Sequence, residues 1–189
     1  YVSILSIVVV VATLRYEIAI PLPEDDGAAA NLLAVSLVAL GATSLLAGLG
    51  VWGLAGRLVQ WAGNQRLGSC LWLIPPGLAA VGLYETTNLW CLRRRAFACI
   101  ASTKLGQNAG MVLSQVGLGL LRAGPAGLLV GDLLGRMCGA VTMVVLVLSR
   151  DREAFRRVSL ARMREVAGRY RRFPLMSSGA SLLNSLGNQ

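Results

Sequence analysis

Long apolar stretches separated by short, arginine-rich connections constrain the fold of this chain more than any other feature. A helix needs about 20 apolar residues to cross a hydrocarbon core roughly 30 Å thick. Five stretches meet that length, at about 1–21, 31–56, 69–92, 96–121 and 126–149, and a sixth begins near 173. Because lipid offers no hydrogen-bond partner to an exposed backbone, these stretches predict helices. We therefore expect an all-α protein, a polytopic transmembrane helical bundle.

Composition supports a membrane location. Charged residues make up 14% of the chain, whereas a soluble domain usually carries about 25%, and the mean hydropathy is +0.63. The chain begins inside an apolar stretch and stops where another begins, so we expect a fragment of a longer protein.

The basic residues predict an orientation. Seventeen of the 18 are arginines, and thirteen fall in three alternate connections, at 15–30, 93–95 and 150–172, against three at 57–68 and 122–125. Cytoplasmic loops of membrane proteins carry an excess of Arg and Lys. The first set is therefore predicted to be cytoplasmic, which puts Tyr1 on the outer side.

The segment 150–172 holds nine arginines, and its apolar residues follow a helical spacing. It is interpreted as a basic amphipathic helix on the cytoplasmic membrane surface, with an ordinary basic loop as the alternative. Nucleic acid is not expected as a partner, because no base-stacking aromatic residues are interleaved.

Glycine and proline punctuate the predicted helices. Gly127, Gly131, Gly135 and Gly139 recur every four residues and predict a flat ridge on which another helix packs closely; Gly106 and Gly110 form a shorter ridge. The pair at 75–76 is expected to kink or break the third helix.

Charged residues inside apolar stretches are costly and are functional candidates by default. Arg15 and Glu17 lie two apart and cannot pair with each other, so they face a cavity or reach back to the interface. Asp132 and Arg136 lie four apart and either neutralise each other or serve function.

A polar stripe in the fourth predicted helix contains Lys104 and Gln107. At helical spacing it predicts a face that lines a wet cavity or a polar helix contact. Together with the arginines it favours a positively charged cavity for an anionic substrate.

Residue types also exclude some chemistry. The chain has no His, which removes the commonest metal ligand and acid–base group, and its four Cys have no CxxC spacing and are interpreted as small apolar residues. The acidic cluster at 24–26 is interpreted as a solvated turn, with a metal site as the weaker alternative. No metal, cofactor or enzymatic activity is predicted.

Several motifs resemble, in order, bacterial polysaccharide biosynthesis proteins of the oligosaccharide (O-antigen type) flippase family. They run over nearly the whole chain: LRYEIAIPLP at 14–23 with EDD at 24–26, ANLLA at 30–34, LWCLRRRAF at 89–97, GLLVGDLLG at 127–135, YRRFPL at 170–175 and LLN at 182–184. Each motif alone is weak, and their ordered set carries the resemblance.

The resemblance implies a member of the multidrug/oligosaccharidyl-lipid/polysaccharide exporter superfamily, with this chain forming part of the first six-helix lobe of two. It implies a multi-pass protein of the bacterial inner membrane that flips undecaprenyl-pyrophosphate-linked oligosaccharide for surface polysaccharide (lipopolysaccharide or exopolysaccharide) biosynthesis. The expected partners are the lipid-linked substrate, the bilayer, a polysaccharide polymerase and chain-length proteins.

Within that expectation, Arg15 and Arg136 supply substrate-facing positive charge beside Lys104 and Gln107, and Glu17 or Asp132 balances or gates them. The second hypothesis is a multidrug or small-solute antiporter of the same superfamily, which would favour acidic residues in the cavity. The third is a membrane enzyme of polysaccharide assembly, for which the predicted outer loops are short.

Overall fold

The computed structural model describes residues 16–62, 71–121 and 124–171, and within them the chain is all-helical, as predicted, with no β-strand. A 3-10 turn at Tyr16–Ala19 precedes six α-helices. These are α1 (Asp26–Ala62), α2 (Ile74–Arg93), α3 (Phe97–Leu120), α4 (Gly124–Arg150), α5 (Arg152–Arg156) and α6 (Leu160–Arg169).

Helix α1 begins five residues before its predicted start. The side chain of Asp25 accepts a hydrogen bond from the Ala28 N–H at 2.9 Å, so Asp25 caps the helix. The acidic cluster is thus a helix start and not only a solvated turn. At 37 residues, α1 is roughly 55 Å long, well beyond what one crossing of a hydrocarbon core requires.

Helix α2 begins at the proline pair. Pro75 and Pro76 follow Ile74 in the first turn, where the missing N–H groups would have had no intrahelical acceptor. The pair therefore lies at the start of α2, directly after a turn at 72–73, and α2 is shorter at its N-terminal end than the predicted stretch 69–92.

The four long helices lie in a row in the order α1, α2, α4, α3. Helices that follow each other in the chain run antiparallel, whereas the neighbours α2 and α4 run parallel. Leu40 of α1 contacts Gly82 of α2, Cys91 of α2 contacts Met143 of α4 at 3.7 Å, and α3 lies along α4. The N-terminal ends of α1 and α3 and the C-terminal ends of α2 and α4 consequently meet at one end of the bundle. This end is called the arginine end below.

The contact between α3 and α4 is made by glycine and is called the α3–α4 seam. A Cβ added at Gly135 would lie 2.5 Å from Met111 Cβ and 2.7 Å from its Cα. A Cβ at Gly139 would lie 2.8 Å from Gln107, and one at Gly131 would lie 2.7 Å from Gln115. Three members of the predicted ridge therefore allow the two backbones to approach, and Gly127 is buried. Gly106 and Gly110 face open space instead, so the shorter ridge packs against none of the described residues.

The basic segment after α4 differs from the prediction of one continuous surface helix. It forms two short helices, α5 and α6, separated at 157–159. Ser159 caps α6 by accepting from the Arg162 N–H, and Val166 and Ala154 join the apolar cluster at the arginine end. The apolar face of the segment is thus occupied by the bundle itself, mainly by α1.

Two helices in the described part of the chain are long and apolar enough to cross a membrane: the Asp26–Leu54 part of α1 and the Ala126–Arg150 part of α4. Large apolar side chains are widely exposed, with Trp52 on α1 at 75% and Leu120 on α3 at 81%. Fully burying one such side chain is worth about 1.5–3 kcal/mol, so this surface is unfavourable in water.

Candidate functional site

The charged residues predicted to face a substrate lie in separate parts of the bundle. Arg15 is outside the described residues. Glu17 is buried in the 3-10 turn, which packs on α1 and α2 at the arginine end. Asp132 lies 18 residues before Arg150, roughly 27 Å along α4 from that end. The structure therefore does not bring Glu17 and Asp132 together.

Asp132 and Arg136 form an ion pair within α4. The Arg136 Nε donates to Asp132 Oδ2 at 2.8 Å, and the arginine side chain is 25% exposed while the aspartate is 12% exposed. Because both partners belong to α4, the pair does not connect α4 to another helix. It lowers the cost of placing two charges in an apolar helix, and it leaves the guanidinium partly accessible.

The predicted polar stripe of α3 divides between two surroundings. Gln107 is buried against Gly139 in the α3–α4 seam, and its Oε1 finds no hydrogen-bond partner among the described residues. Lys104 is exposed, and its ammonium lies 5.1 Å from the centre of the Tyr84 ring on α2, a cation–π distance. The stripe thus contributes one side chain to a helix contact and one to an open face.

The arginine end holds the densest polar network in the described residues. Arg93 donates to Asp26 Oδ1 at 2.8 Å and to the carbonyls of Pro23 and Glu24, and Arg94 bridges Asp26 at 2.9 Å and Asp151 at 3.1 Å. Two arginines at the C-terminal end of α2 therefore link the start of α1 to the residue between α4 and α5.

Trp90 anchors this network to the apolar core. It is fully buried, donates its indole N–H to Asp151 Oδ2 at 2.9 Å, and packs against Phe155 with ring centres 5.1 Å apart. The Arg94 guanidinium lies 5.6 Å from the centre of the Trp90 ring. Asp151 thus accepts a hydrogen bond from Trp90 and forms an ion pair with Arg94.

Asn31 ties α1 to the segment between α5 and α6. Its side chain is fully buried, donates to the carbonyls of Gly27 at 2.7 Å and Arg157 at 3.3 Å, and accepts from the Ser159 N–H at 3.0 Å. A buried amide with its bonds satisfied specifies one docking position. Near the C-terminal end of α6, the Tyr16 hydroxyl donates to the Ala167 carbonyl at 3.3 Å.

Electrostatics at this end favour the ionised acids. Hydrogen bonds from the Gly27 and Ala28 N–H groups lower the pKa of Asp25 below its usual 3.8, and the nearby positive charges of Arg157 and Arg162 act in the same direction. Asp25 therefore stays ionised to a lower pH in the folded chain than in the unfolded one.

Arg95 has an unusual backbone at the end of α2. Its φ is +53°, the left-handed conformation in which glycine is normally found after a helix. The N–H groups of Ala96 and Arg95 bond to the carbonyls of Cys91 and Leu92 at 2.9 and 3.0 Å, which is the Schellman pattern. A residue with a Cβ costs roughly 1–2 kcal/mol in this conformation.

The described cysteines behave as apolar side chains. The Cys91 Sγ lies 4.0 Å from Cys99 Sγ and 3.7 Å from Met143 Sδ in the core beneath the arginine end, whereas Cys138 is exposed on α4. In the part of the chain that the structure describes, no group of three or more Cys, Asp or Glu residues is arranged to hold a metal ion.

Comparison with known proteins gives no further constraint. A scan of protein-family models and searches of curated proteins and of solved structures found no match to this chain.

Sequence reasoning missed the network at the arginine end. A signal was present, because the acidic cluster at 24–26 and the arginine triplet at 93–95 were predicted to lie on the same side of the membrane. Opposite charges at the same end of a bundle lie close enough to form ion pairs. The arrangement can hold the helix ends together and still expose positive charge beside them.

Proposed function

We propose that this chain is part of a multi-pass membrane transporter that flips an undecaprenyl-pyrophosphate-linked oligosaccharide across the bacterial inner membrane. In this proposal the apolar stretches form five spans and the start of a sixth. The arginine end faces the cytoplasm.

The observation that carries the proposal is the ion pair of Asp132 and Arg136 inside α4. The helix is apolar enough to cross a membrane, yet it keeps an arginine near its middle that is one quarter exposed. A charge at the bilayer centre costs at least about 2.5–3.5 kcal/mol on insertion scales. Such a cost favours a role in handling charge, and arginine is suited to a pyrophosphate because its planar fork binds two oxygens.

Two further features support the same function. The exposed apolar side chains of α1 and α3 fit contact with lipid or with the rest of a longer membrane protein. The ordered motifs that resemble oligosaccharide flippases supply the substrate class, a polyprenyl pyrophosphate that carries a glycan.

The antiporter hypothesis has less support. An acid that exchanges protons or binds a cationic drug in a transport cycle must be able to lose its arginine partner, and Asp132 is held by Arg136 at 2.8 Å.

Surface polysaccharide in a strain that lacks the chromosomal gene and carries the full-length protein on a plasmid tests the proposal. Arg136→Ala is expected to lower export at least tenfold at normal protein level, and lipid-linked repeat units are expected to accumulate inside. The paired change Asp132→Ala with Arg136→Ala removes both charges and so controls for an unpaired aspartate.

If the double variant regains export, the pair is only structural and the proposal loses its main support. If both variants fail while the control Arg169→Ala on exposed α6 exports normally, the arginine itself is required. Unchanged export in both Arg15→Ala and Arg136→Ala would contradict the proposal.

A further inference from the structure

A pocket of about 190 Å³ opens beside the network at the arginine end. It lies where α2, α3 and α4 meet and is lined mainly by Trp90, Arg94, Arg95, Cys99, Arg150 and Asp151. The single aspartate already accepts bonds from Trp90 and Arg94. The guanidinium groups of Arg95 and Arg150 have no ion-pair partner among the described residues. The lining therefore keeps a surplus of positive charge.

Arg95 is held at this pocket against its backbone preference. Glycine would occupy the left-handed position after α2 without a steric penalty, and arginine occupies it instead. Residues in sparsely populated backbone conformations concentrate at binding sites, where the side chain offsets the strain. The strain therefore points to a use for the Arg95 side chain.

The pocket continues as a groove along the outside of the α3–α4 seam. A shallow cavity of about 670 Å³, lined by Ala98, Cys99, Ser102, Leu146, Ser149 and Arg150, shares Arg150 and Leu146 with the pocket. A further cavity of about 200 Å³ continues from Ser102 and Leu146 to Gly106, Cys138 and Thr142. The groove exists because small residues line both helices.

The groove runs from positive charge to a mainly apolar surface. No charged residue among those described lines its far part, whereas Arg95 lines the pocket and Arg150 lines both the pocket and the adjoining shallow cavity. A free anion would use only the pocket, whereas a lipid with a phosphate headgroup would use both parts. Positive charge beside an anionic leaflet attracts such lipids.

We infer that the pocket and the groove form a binding site for one anionic phospholipid of the leaflet at the arginine end, with its phosphate on Arg95 and Arg150 and an acyl chain along the α3–α4 seam. The site rests on the membrane location in the proposed function but not on the transported substrate. The phosphate end of the site, at Arg150, lies 14 residues from Arg136, roughly 21 Å along α4, and the far end of the groove at Cys138 comes within one helical turn of Arg136.

Native mass spectrometry of the full-length protein in detergent tests this site, with phosphatidylglycerol and phosphatidylcholine added separately. Phosphatidylglycerol is expected to bind at least tenfold more tightly, because only its headgroup carries net negative charge. Arg95→Gly is expected to reduce that preference about tenfold while thermal stability stays equal or rises, because glycine relieves the strained backbone. Arg169→Gln, on exposed α6 outside the pocket, is the matched control and should bind as the native protein does.

A second variant separates the two parts of the site. Ser102→Phe fills the groove without removing a charge, and it is expected to weaken phosphatidylglycerol binding as well. If inorganic phosphate at millimolar concentration displaces the lipid and Ser102→Phe has no effect, the site binds a free anion and the lipid assignment is wrong.

Three other outcomes would overturn the inference. Equal binding of the two phospholipids would do so, and so would an equal loss in Arg95→Gly and Arg169→Gln, which would indicate general attraction to a basic surface. Competition by an undecaprenyl pyrophosphate at the same affinity would assign the groove to the transported lipid and overturn the phospholipid assignment. Export by Arg95→Gly cells reports on the proposed function separately, so failure of the lipid site leaves that proposal standing.

Discussion

The arginine end and the α3–α4 seam hold helices together by opposite means. At the arginine end, long side chains reach between helices, as Arg94 does from α2 to Asp26 and Asp151. At the seam, Gly131, Gly135 and Gly139 contribute no side chain, and the backbones themselves come close.

The two kinds of contact tolerate substitution differently. A polar network shares its bonds among several partners, so losing one side chain leaves the others in place. A glycine contact tolerates little change, because an added methyl group would meet backbone atoms of α3 at Gly131 and Gly135 and the side chain of Gln107 at Gly139. Substitutions in the two regions are therefore expected to differ in cost.

Trp90→Ala is expected to cost the most. It removes a fully buried side chain together with the indole bond to Asp151 and the contact with Phe155, and Trp-to-Ala changes in cores cost about 3–5 kcal/mol. The free energy of unfolding, measured by denaturant titration in detergent, checks this. A loss below about 1 kcal/mol would mean that Trp90 does not anchor the arginine end.

Gly135→Ala is expected to cost about 1–3 kcal/mol, because its Cβ would meet Met111 Cβ, Cα and N at 2.5, 2.7 and 2.9 Å. Gly106→Ala is the matched control on the facing helix, where an added Cβ meets nothing within 4 Å. It should be neutral or stabilise by up to about 1 kcal/mol through helix propensity. Equal effects of the two changes would contradict close packing at the seam.

Asp26→Asn is expected to cost about 1.5 kcal/mol, at the low end for hydrogen bonds to charged groups. The Asp26 side chain is 40% exposed, so water replaces part of the lost interaction with the arginines. Arg94 also keeps its ion pair with Asp151. Unfolding titrations at low and high salt check this. The difference in free energy of unfolding between the native protein and the variant should be smaller at high salt, because salt screens the ion pairs. A difference that does not change with salt would count against an ion-pair origin.

Asp25→Asn is expected to have the smallest effect and to depend on pH. Because folding lowers the pKa of Asp25, the stability that its ionised form adds is fully present above pH 3.8 and is lost as pH falls through the lower, folded-state pKa. Thermal unfolding of native protein and variant should therefore differ at pH 6, and the difference should shrink as pH falls below 3.8. A difference that grows at low pH would contradict this assignment.

The sequence predicted the seam better than the arginine end for a physical reason. Glycine spacing is local, and four glycines in register on one helix specify a flat face whatever packs against it. The arginine-end contacts join residues far apart in the chain, such as Asn31 with Ser159 and Trp90 with Asp151, and no local pattern specifies such pairs. The charges were visible, but which arginine would meet which aspartate depends on the order of helices in the row.

The candidate site was predictable to a similar degree. The i, i+4 spacing of Asp132 and Arg136 predicted their pairing, because one helix fixes their geometry. The spacing of the stripe on α3 predicted a polar face but could not indicate that Gln107 lies in the seam while Lys104 lies over Tyr84. The pocket at Arg95 was not predicted, since a left-handed arginine leaves no local signal in the sequence.

The central claim is that this chain crosses a membrane several times with its arginine end in the cytoplasm. Cysteine labelling tests it most directly, in full-length protein whose native cysteines are replaced by serine and which carries a single Ser159→Cys or Leu121→Cys. The account predicts that a membrane-impermeant maleimide reaches position 121 in intact spheroplasts and position 159 only in inverted vesicles. Labelling of both positions from the same side of the membrane would contradict it.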